Sequence, residues 1–400
     1  FMRKLILLSA AFMLVVSSCC GDKAEVLNSI SKEVKSEFAP DRRDKTFETK
    51  FKEVDGKWVL YGSTTEAEAK AALLEKLAAK KVDVLDSMKV LPDQALVEKG
   101  IVYAVTAHSV ANLRYEADYS SEMATQVLMG TPLKVLEKKS YWYRVVTPEG
   151  YIAWVTVGSV KTMNEEEFTA WRDSYRVIVD THYTLFRDKP SKNGAIISDG
   201  VWGDIVQAPV NKVVNGFQQV LLPNGKTAYV PASDVKPFQK WLDSRNPTTD
   251  NILNTGKQFL GFPYLWAGTS IKGLDCSGFV KTSHYLNGII LRRDASQQAK
   301  IGEEVDITNG IENLVKGDIL FFGRKATADR PARVTHVGMY LGDGMFIHSA
   351  TFVKINSLVP GAENFYDGTM VCARRINGME DTIYGLWSIA KHPWYFNLEK

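Results

Sequence analysis

Tyr264-Leu265-Trp266-Ala267-Gly268, then Leu274-Asp275-Cys276-Ser277-Gly278-Phe279-Val280, is the densest stretch of this chain. After Cys276 the pattern turns helical to about Leu286 and stops at Asn287-Gly288. The cysteine therefore belongs at a helix N-terminus. There, unpaired backbone N–H groups and the positive end of the dipole favour a thiolate. A thiolate is the form that attacks a carbonyl. The same N–H groups could hold the oxyanion of an acyl-transfer transition state. A structural cysteine at a helix start fits this segment equally well.

A nucleophile needs a base, and the chain has six histidines. His284 shares the Cys276 helix, but eight residues along is roughly 12 Å of rise, too far for a hydrogen bond. His108 and His182 fall in or near a different region, and His392 is near the C-terminus. His336 and His348 remain. Thr335–Leu341 reads as a strand, Gly342-Asp343-Gly344 as a turn and Met345–Ser349 as the return strand. Centred near Gly342, this hairpin sets the two histidines nearly opposite each other on one face. One imidazole can then orient the other, as a triad requires. Two ordinary hairpin histidines are the plainer reading. A metal site is a further one, but no carboxylate or third histidine is placed to complete a zinc site.

A cysteine at a helix start, then a histidine, then a polar orienter on the next strand, resembles the papain-like order of parts. More specifically the segment resembles the NlpC-type cell-wall peptidase family. Five stretches carry the resemblance in order. They are Tyr264–Gly268, Asp275–Phe279, Lys316-Gly317-Asp318-Ile319-Leu320-Phe321-Phe322, His336–Gly342 and Phe346-Ile347-His348-Ser349. One departure is visible: the family commonly has two glycines after the tryptophan, and this chain has Ala267-Gly268. The resemblance implies that Cys276 is the nucleophile, His336 the general base and then acid, and His348 its orienter. It also implies that Tyr264 lies beside the nucleophile, where packing against Trp266 is the alternative. Asp275 could meet a substrate amine, cap the helix, or both, and Ser277 flanks the nucleophile on its other side. Ser296, in Asp294-Ala295-Ser296-Gln297-Gln298, resembles a peptide-contacting position and fits a helix cap as well.

Upstream lies an internal repeat. Trp142–Lys161 matches Phe217–Lys236 at an offset of 75 residues, with Pro148/Pro223, Gly150/Gly225, Ala153/Ala228 and Val155/Val230 in register. Each copy has short alternating strands broken by turn residues, which suggests small barrels. With Asn112-Leu113-Arg114 and Gly130–Leu136, residues 101–163 resemble the bacterial SH3-like family, and 175–238 do so more weakly. The resemblance implies a first barrel that walls off one end of the cleft, suited to a free N-terminal L-Ala. Glu122 and Tyr151 are the candidates for binding that amine. A solvated surface carboxylate and a packed barrel tyrosine are the alternatives, and the barrels could instead adhere to peptidoglycan strands. Residues 164–174 read as a connecting helix and 239–250 as a linker. Thr249 or Asp250 is the expected cap of a helix over Asn251–Leu260.

Residues 22–45 are polar and read as a tether leading into a small α+β unit, 22–100. Two strands within 46–61 turn at Asp55-Gly56, and 65–80 form an amphipathic helix. At the start, Arg3-Lys4, an apolar run from Leu5 to Val16, and Ser17-Ser18-Cys19 describe a secretory signal over 1–21. The run is short for a membrane span. Val16–Cys19 also resembles a bacterial lipobox, which implies lipidation of Cys19; a plain signal with incidental cysteines is the other reading. Beyond residues 1–21 only Cys276 and Cys372 remain. Cys372 sits in the apolar run Met370–Ala373 and reads as a core residue. Net charge is only +3 with 24% charged residues, which argues against nucleic acid as a partner.

The expectation is an α+β protein: two SH3-like barrels, then a papain-like NlpC-type domain over 250–400. It is an exported, periplasmic or cell-envelope lipoprotein and a monomer. It needs no cofactor or metal. It hydrolyses the γ-D-glutamyl–L-diamino acid bond of stem peptides and releases L-Ala-γ-D-Glu. An endopeptidase or amidase on intact peptidoglycan, or an inert wall-binding lipoprotein, are the competing functions.

Overall fold

Local sequence explains most elements of the structure, a computed structural model that describes residues 23–209 and 212–398. The chain divides into two compact units, up to Lys99 and from Gly100 onward. In the first, Phe47–Val54 and Lys57–Thr64 pair antiparallel across Asp55-Gly56. Both turn residues have positive φ, 50° and 74°, as a two-residue hairpin with the natural strand twist requires. The helix follows at Ala67–Ala79 and buries Ala69, Leu73 and Leu77. Two elements correct the sequence reading. Residues 23–38 form a helix rather than a tether, because Leu27, Ile30 and Val34 make an apolar stripe among the charges. Val84–Val90 adds a third strand, parallel to Lys57–Thr64. Only Met88 of that strand is buried, so its sequence carries no alternation to read.

The second unit begins with two curved antiparallel sheets. The first holds seven strands between Tyr103 and Met163 and the second eight between Arg176 and Pro237. The repeat is visible as equivalent hairpins, Trp142–Val146 with Ile152–Thr156 and Phe217–Leu221 with Thr227–Pro231. Each turns at a left-handed glycine, Gly150 or Gly225, and each leads through a 3₁₀ turn into a last strand. Between the sheets lies the helix Glu165–Asp173. Asn164 and Glu167 close it with a reciprocal capping box.

The 239–250 stretch is only partly a linker. Phe238–Asp243 is a helix that buries Phe238, Trp241 and Leu242. These residues join Leu128, Ile178, Val201 and Ile205 of the sheets to the core of the last domain, so barrels and last domain share one apolar interior. The next helix is Thr249–Lys257. Its cap is Thr248, whose hydroxyl accepts from Asn251 N, not Thr249 or Asp250.

The last domain is a six-stranded antiparallel sheet ordered Glu303–Val305, Met370–Arg375, Ile319–Arg324, Arg333–Gly342, Met345–Ala350 and Phe352–Ser357. The helix Cys276–Tyr285 packs against it with every residue but Lys281 buried. No helix among the described residues is long and apolar enough to cross a membrane.

Candidate active site

Asp275 begins the helix that carries Cys276. Its backbone is extended and its carboxylate accepts from Gly278 N at 2.6 Å. Gly278 has no alternative: a Cβ there would lie 2.0 Å from the Gly268 carbonyl oxygen. The Tyr264–Gly268 loop therefore presses directly on the helix start. Ala267 is left-handed, φ 62°, a conformation that suits a glycine and strains an alanine.

Cys276 is 7% exposed. Burial, then the adjacent Asp275 carboxylate, push its thiol up to about 12, against the opposing pull of Arg293 and the backbone N–H groups of Val337 and Ser277. Burial thus opposes the thiolate that the helix terminus favours.

Two imidazoles lie close together on the neighbouring hairpin. His336 Nε2 and His348 Nδ1 are 2.6 Å apart. The register differs from the expected one. Met339 pairs with Ile347 and Tyr340 with Phe346, with an irregularity before Gly342. Gly338, not His336, therefore lies across from His348, and a Cβ on it would come within 3.0 Å of His348 Cβ. His336 reaches its partner along the diagonal, which long side chains can span. Burial, then His348, then Lys354, push His336 down to about 3. Burial and Lys354 hold His348 down at about 4, opposed by its hydrogen bond to Asn356. Both rings are neutral near pH 7.

Tyr264 is half-buried and anchored by its N–H to Thr351 O at 2.8 Å. Burial, then the proximity of Cys276, raise its phenol. Ser277 is buried and accepts from Arg293 Nη1 at 2.9 Å. Asp275 is engaged by Arg293 as well as by the helix, so the structure displays its cap role. Ser296 is not a cap: Asp294 caps the short helix Ala295–Gln298, and Ser296 is its second residue.

Two barrel residues reach this neighbourhood. Trp266 Nε1 donates to Glu122 Oε1 at 2.9 Å. Tyr151, fully buried, donates to Asp294 Oδ2 at 3.1 Å and lies 3.0 Å from the Tyr115 hydroxyl. Asp294 in turn lies 3.9 Å from Arg293. Three neighbours escaped the sequence reading. Arg293 follows an apolar run that gave no hint of a buried cation. Asn356 is an unremarked strand residue. Tyr366, on a loop without pattern, packs beside His336 and His348 at 5.7 and 5.2 Å between ring centroids. Cys372 is half-buried beside this core, and Cys19 lies outside the described residues. Among the described residues no cluster of three His, Cys, Asp or Glu side chains could hold a metal.

The arrangement suits acyl transfer by a thiol with a neutral imidazole as base. Comparison with known proteins agrees. The NlpC/P60 family model matches residues 261–375 and the bacterial SH3 domain model matches 109–161. A gamma-D-glutamyl-L-lysine dipeptidyl-peptidase of Bacillus cereus is 33% identical over 250 residues, 60% of this chain and 71% of that protein. A protein of the same name from Bacillus subtilis is 29% identical over 63% of this chain and 80% of its own length. The crystal structure of an NlpC/P60 family protein from Bacillus cereus superposes with a TM-score of 0.56 at 29% identity. That match covers 68% of this chain and 99% of the other.

Proposed function

The chain belongs to the NlpC/P60 family, and from that premise we propose that it is a dipeptidyl-peptidase of peptidoglycan stem peptides. It hydrolyses the bond between γ-D-Glu and the following L-diamino acid and releases L-Ala-γ-D-Glu. The observation that carries this reading is the first barrel's approach to the nucleophile loop, through Glu122 on Trp266. A barrel at that position favours a short peptide with a free amino end over a continuous strand.

In this reading Cys276 passes its proton to His336 as sulfur attacks the γ-carbonyl of D-Glu. Backbone N–H at the helix start, with Tyr264, receives the oxyanion. The His336 imidazolium then protonates the departing α-amine, leaving a thioester. Water attacks the thioester, His336 takes the water's proton, and the acid product leaves as the proton returns to sulfur. His348 orients His336. Glu122, Tyr151 and Asp294 are the groups that meet the substrate amine. Ser277 and Ser296 contribute contacts to the peptide. No metal or cofactor takes part. The protein is exported, anchored through a lipid on Cys19 in the cell envelope, and monomeric.

Mass spectrometry of defined stem peptides tests the reaction. Free-amine substrates should yield L-Ala-γ-D-Glu, and Cys276→Ala should abolish release. Equal cleavage of N-acetylated peptides would favour the endopeptidase alternative. An unmodified mature N-terminus would refute the anchor.

A further inference from the structure

The imidazole pair does not end at His348. His348 Nε2 lies 2.8 Å from Asn356 Oδ1. Asn356 Nδ2 donates at 2.6 Å to the backbone carbonyl of Asn364. The same carbonyl takes Ser357 N at 3.0 Å, and the Asn364 side chain donates back to Ile355 O at 3.3 Å. Asn364 is thus clamped to the strand Phe352–Ser357 from both its backbone and its side chain.

This chain of contacts has one consistent direction. A carbonyl oxygen only accepts, so the amide must turn its NH₂ toward Asn364 and its oxygen toward His348. An amide oxygen also only accepts, so His348 Nε2 must carry a proton. In the neutral ring Nδ1 is then the lone-pair nitrogen. His336 Nε2, at 2.6 Å from it, must be the donor. His336 is left with an unprotonated Nδ1.

We propose that Asn356 is a positioning residue that sets the tautomer of both imidazoles, so that His336 offers an unprotonated Nδ1 as base. This rests on the reading of Cys276 and His336 as nucleophile and base. The opposite tautomer of His336 would carry a proton on Nδ1 and could accept nothing there. A neutral imidazole in solution holds both forms, so geometry alone does not provide the base; the hydrogen-bond chain selects it. An amide does this without adding charge. A carboxylate in its place would hold the same proton but would draw a second one onto His348, since an opposite charge nearby favours the charged ring. A protonated His348 has no lone pair for His336, so the chain would break at a higher pH than it does with the amide. The other titratable groups around the pair are Lys354 on the strand paired with His348, Cys276 on the helix, and Tyr366 with Asp367 on the loop. None of them supplies a carboxylate to the His348 ring by a hydrogen bond, so the amide is the group that directs it.

Long-range ¹H–¹⁵N imidazole spectra of the full chain, uniformly labelled, read the tautomers directly. Signals are identified by their loss in His336→Gln and His348→Gln. Both rings should be protonated at Nε2 and bare at Nδ1 near pH 7. Asn356→Leu should mix the tautomers and lower kcat at least about tenfold with KM little changed, within the range that general-base catalysis supplies. Asn356→Asp should keep the tautomers but move the acid limb of kcat/KM to higher pH by about one unit. A His348 protonated at Nδ1 in the unaltered protein overturns the proposal, as does wild-type kcat in Asn356→Leu. If Asn356→Leu does not fold, the unaltered protein's spectra and the Asn356→Asp profile still decide. Should the unaltered protein cleave no stem peptide, the proposed function fails, while the spectra continue to report the tautomers independently.

Discussion

Arg293 holds Asp275, the residue before Cys276, by two hydrogen bonds: Nη2 to Oδ2 at 2.6 Å and Nη1 to Oδ1 at 3.2 Å. The guanidinium is fully buried and also donates to Ser277 Oγ and, across the domain boundary, to Thr125 Oγ1 at 2.8 Å. One cation thus ties the first barrel to the start of the Cys276–Tyr285 helix. Bidentate carboxylate pairing is the arrangement in which a buried guanidinium is best satisfied.

Arg293→Met should therefore be costly. It strands a buried carboxylate, for which about 3–5 kcal/mol is typical. Urea unfolding measures the loss. Adding Asp275→Asn should recover part of it, because asparagine still caps the helix and no longer needs the cation. If the double variant is as unstable as the single, the pairing is not what Arg293 contributes.

Tyr366 is expected to influence the pH range of activity. Its ring covers both imidazoles, and burial is the main cause that holds His336 and His348 well below the ordinary 6.5. Tyr366→Ala lets water reach them, so both should rise toward that value. The acid limb of the rate profile should move to higher pH. An unmoved limb would mean that other groups keep the pair dry.

Stability should follow pH for the same reason. His336, His348, His284 and His392 all sit below 6.5, chiefly through burial. The unfolded chain takes up these protons below about 6.5 while the folded one does not, so stability is full above that pH and falls as pH drops through the window. Denaturant midpoints between pH 7 and 4 check this. His284→Gln, at a fully buried ring bonded to Val280 O at 2.7 Å, should flatten the slope.

The hairpin that carries His336 and His348 was legible because turn glycines and alternation are local signals. Its register was not, because the irregularity before Gly342 shifts the pairing without changing the pattern. The helix that carries Cys276 was legible from Asp275 and from Asn287-Gly288. Its thiol's state was not, since burial depends on what packs against it. Arg293, Asn356 and Tyr366 had no local signature: each matters through a partner far away in sequence. The Phe238–Asp243 helix hid behind a polar, proline-bearing stretch whose only clue was the spacing of Phe238, Trp241 and Leu242.

Glu122 can be separated from the chemistry. It is exposed and touches the site through the Trp266 indole. Glu122→Gln keeps an acceptor for Trp266 but removes the charge. KM for free-amine stem peptides should rise several-fold, with kcat nearly unchanged, as expected when a charge-assisted hydrogen bond becomes a neutral one. Cleavage of N-acetylated peptides should not respond. A parallel loss on both substrates would assign Glu122 to holding the loop instead.

Gly338 offers the sharpest test of the hairpin geometry. A Cβ at this position would lie 2.7 Å from Phe346 Cδ2, 2.9 Å from Ile347 O and 3.0 Å from His348 Cβ. All three neighbours belong to one strand, so the strand must shift as a body to admit a methyl group. Such a shift carries His348 away from His336, whose link spans only 2.6 Å. A displacement that the core tolerates is one that this hydrogen bond does not, because it weakens steeply with distance and angle. Gly338→Ala should therefore lose kcat by a larger factor than its loss of stability would suggest. The comparison is made well below the melting temperature, where the variant is still folded by circular dichroism. Full activity in a folded Gly338→Ala protein would show that the imidazole pair does not depend on this approach of the two strands.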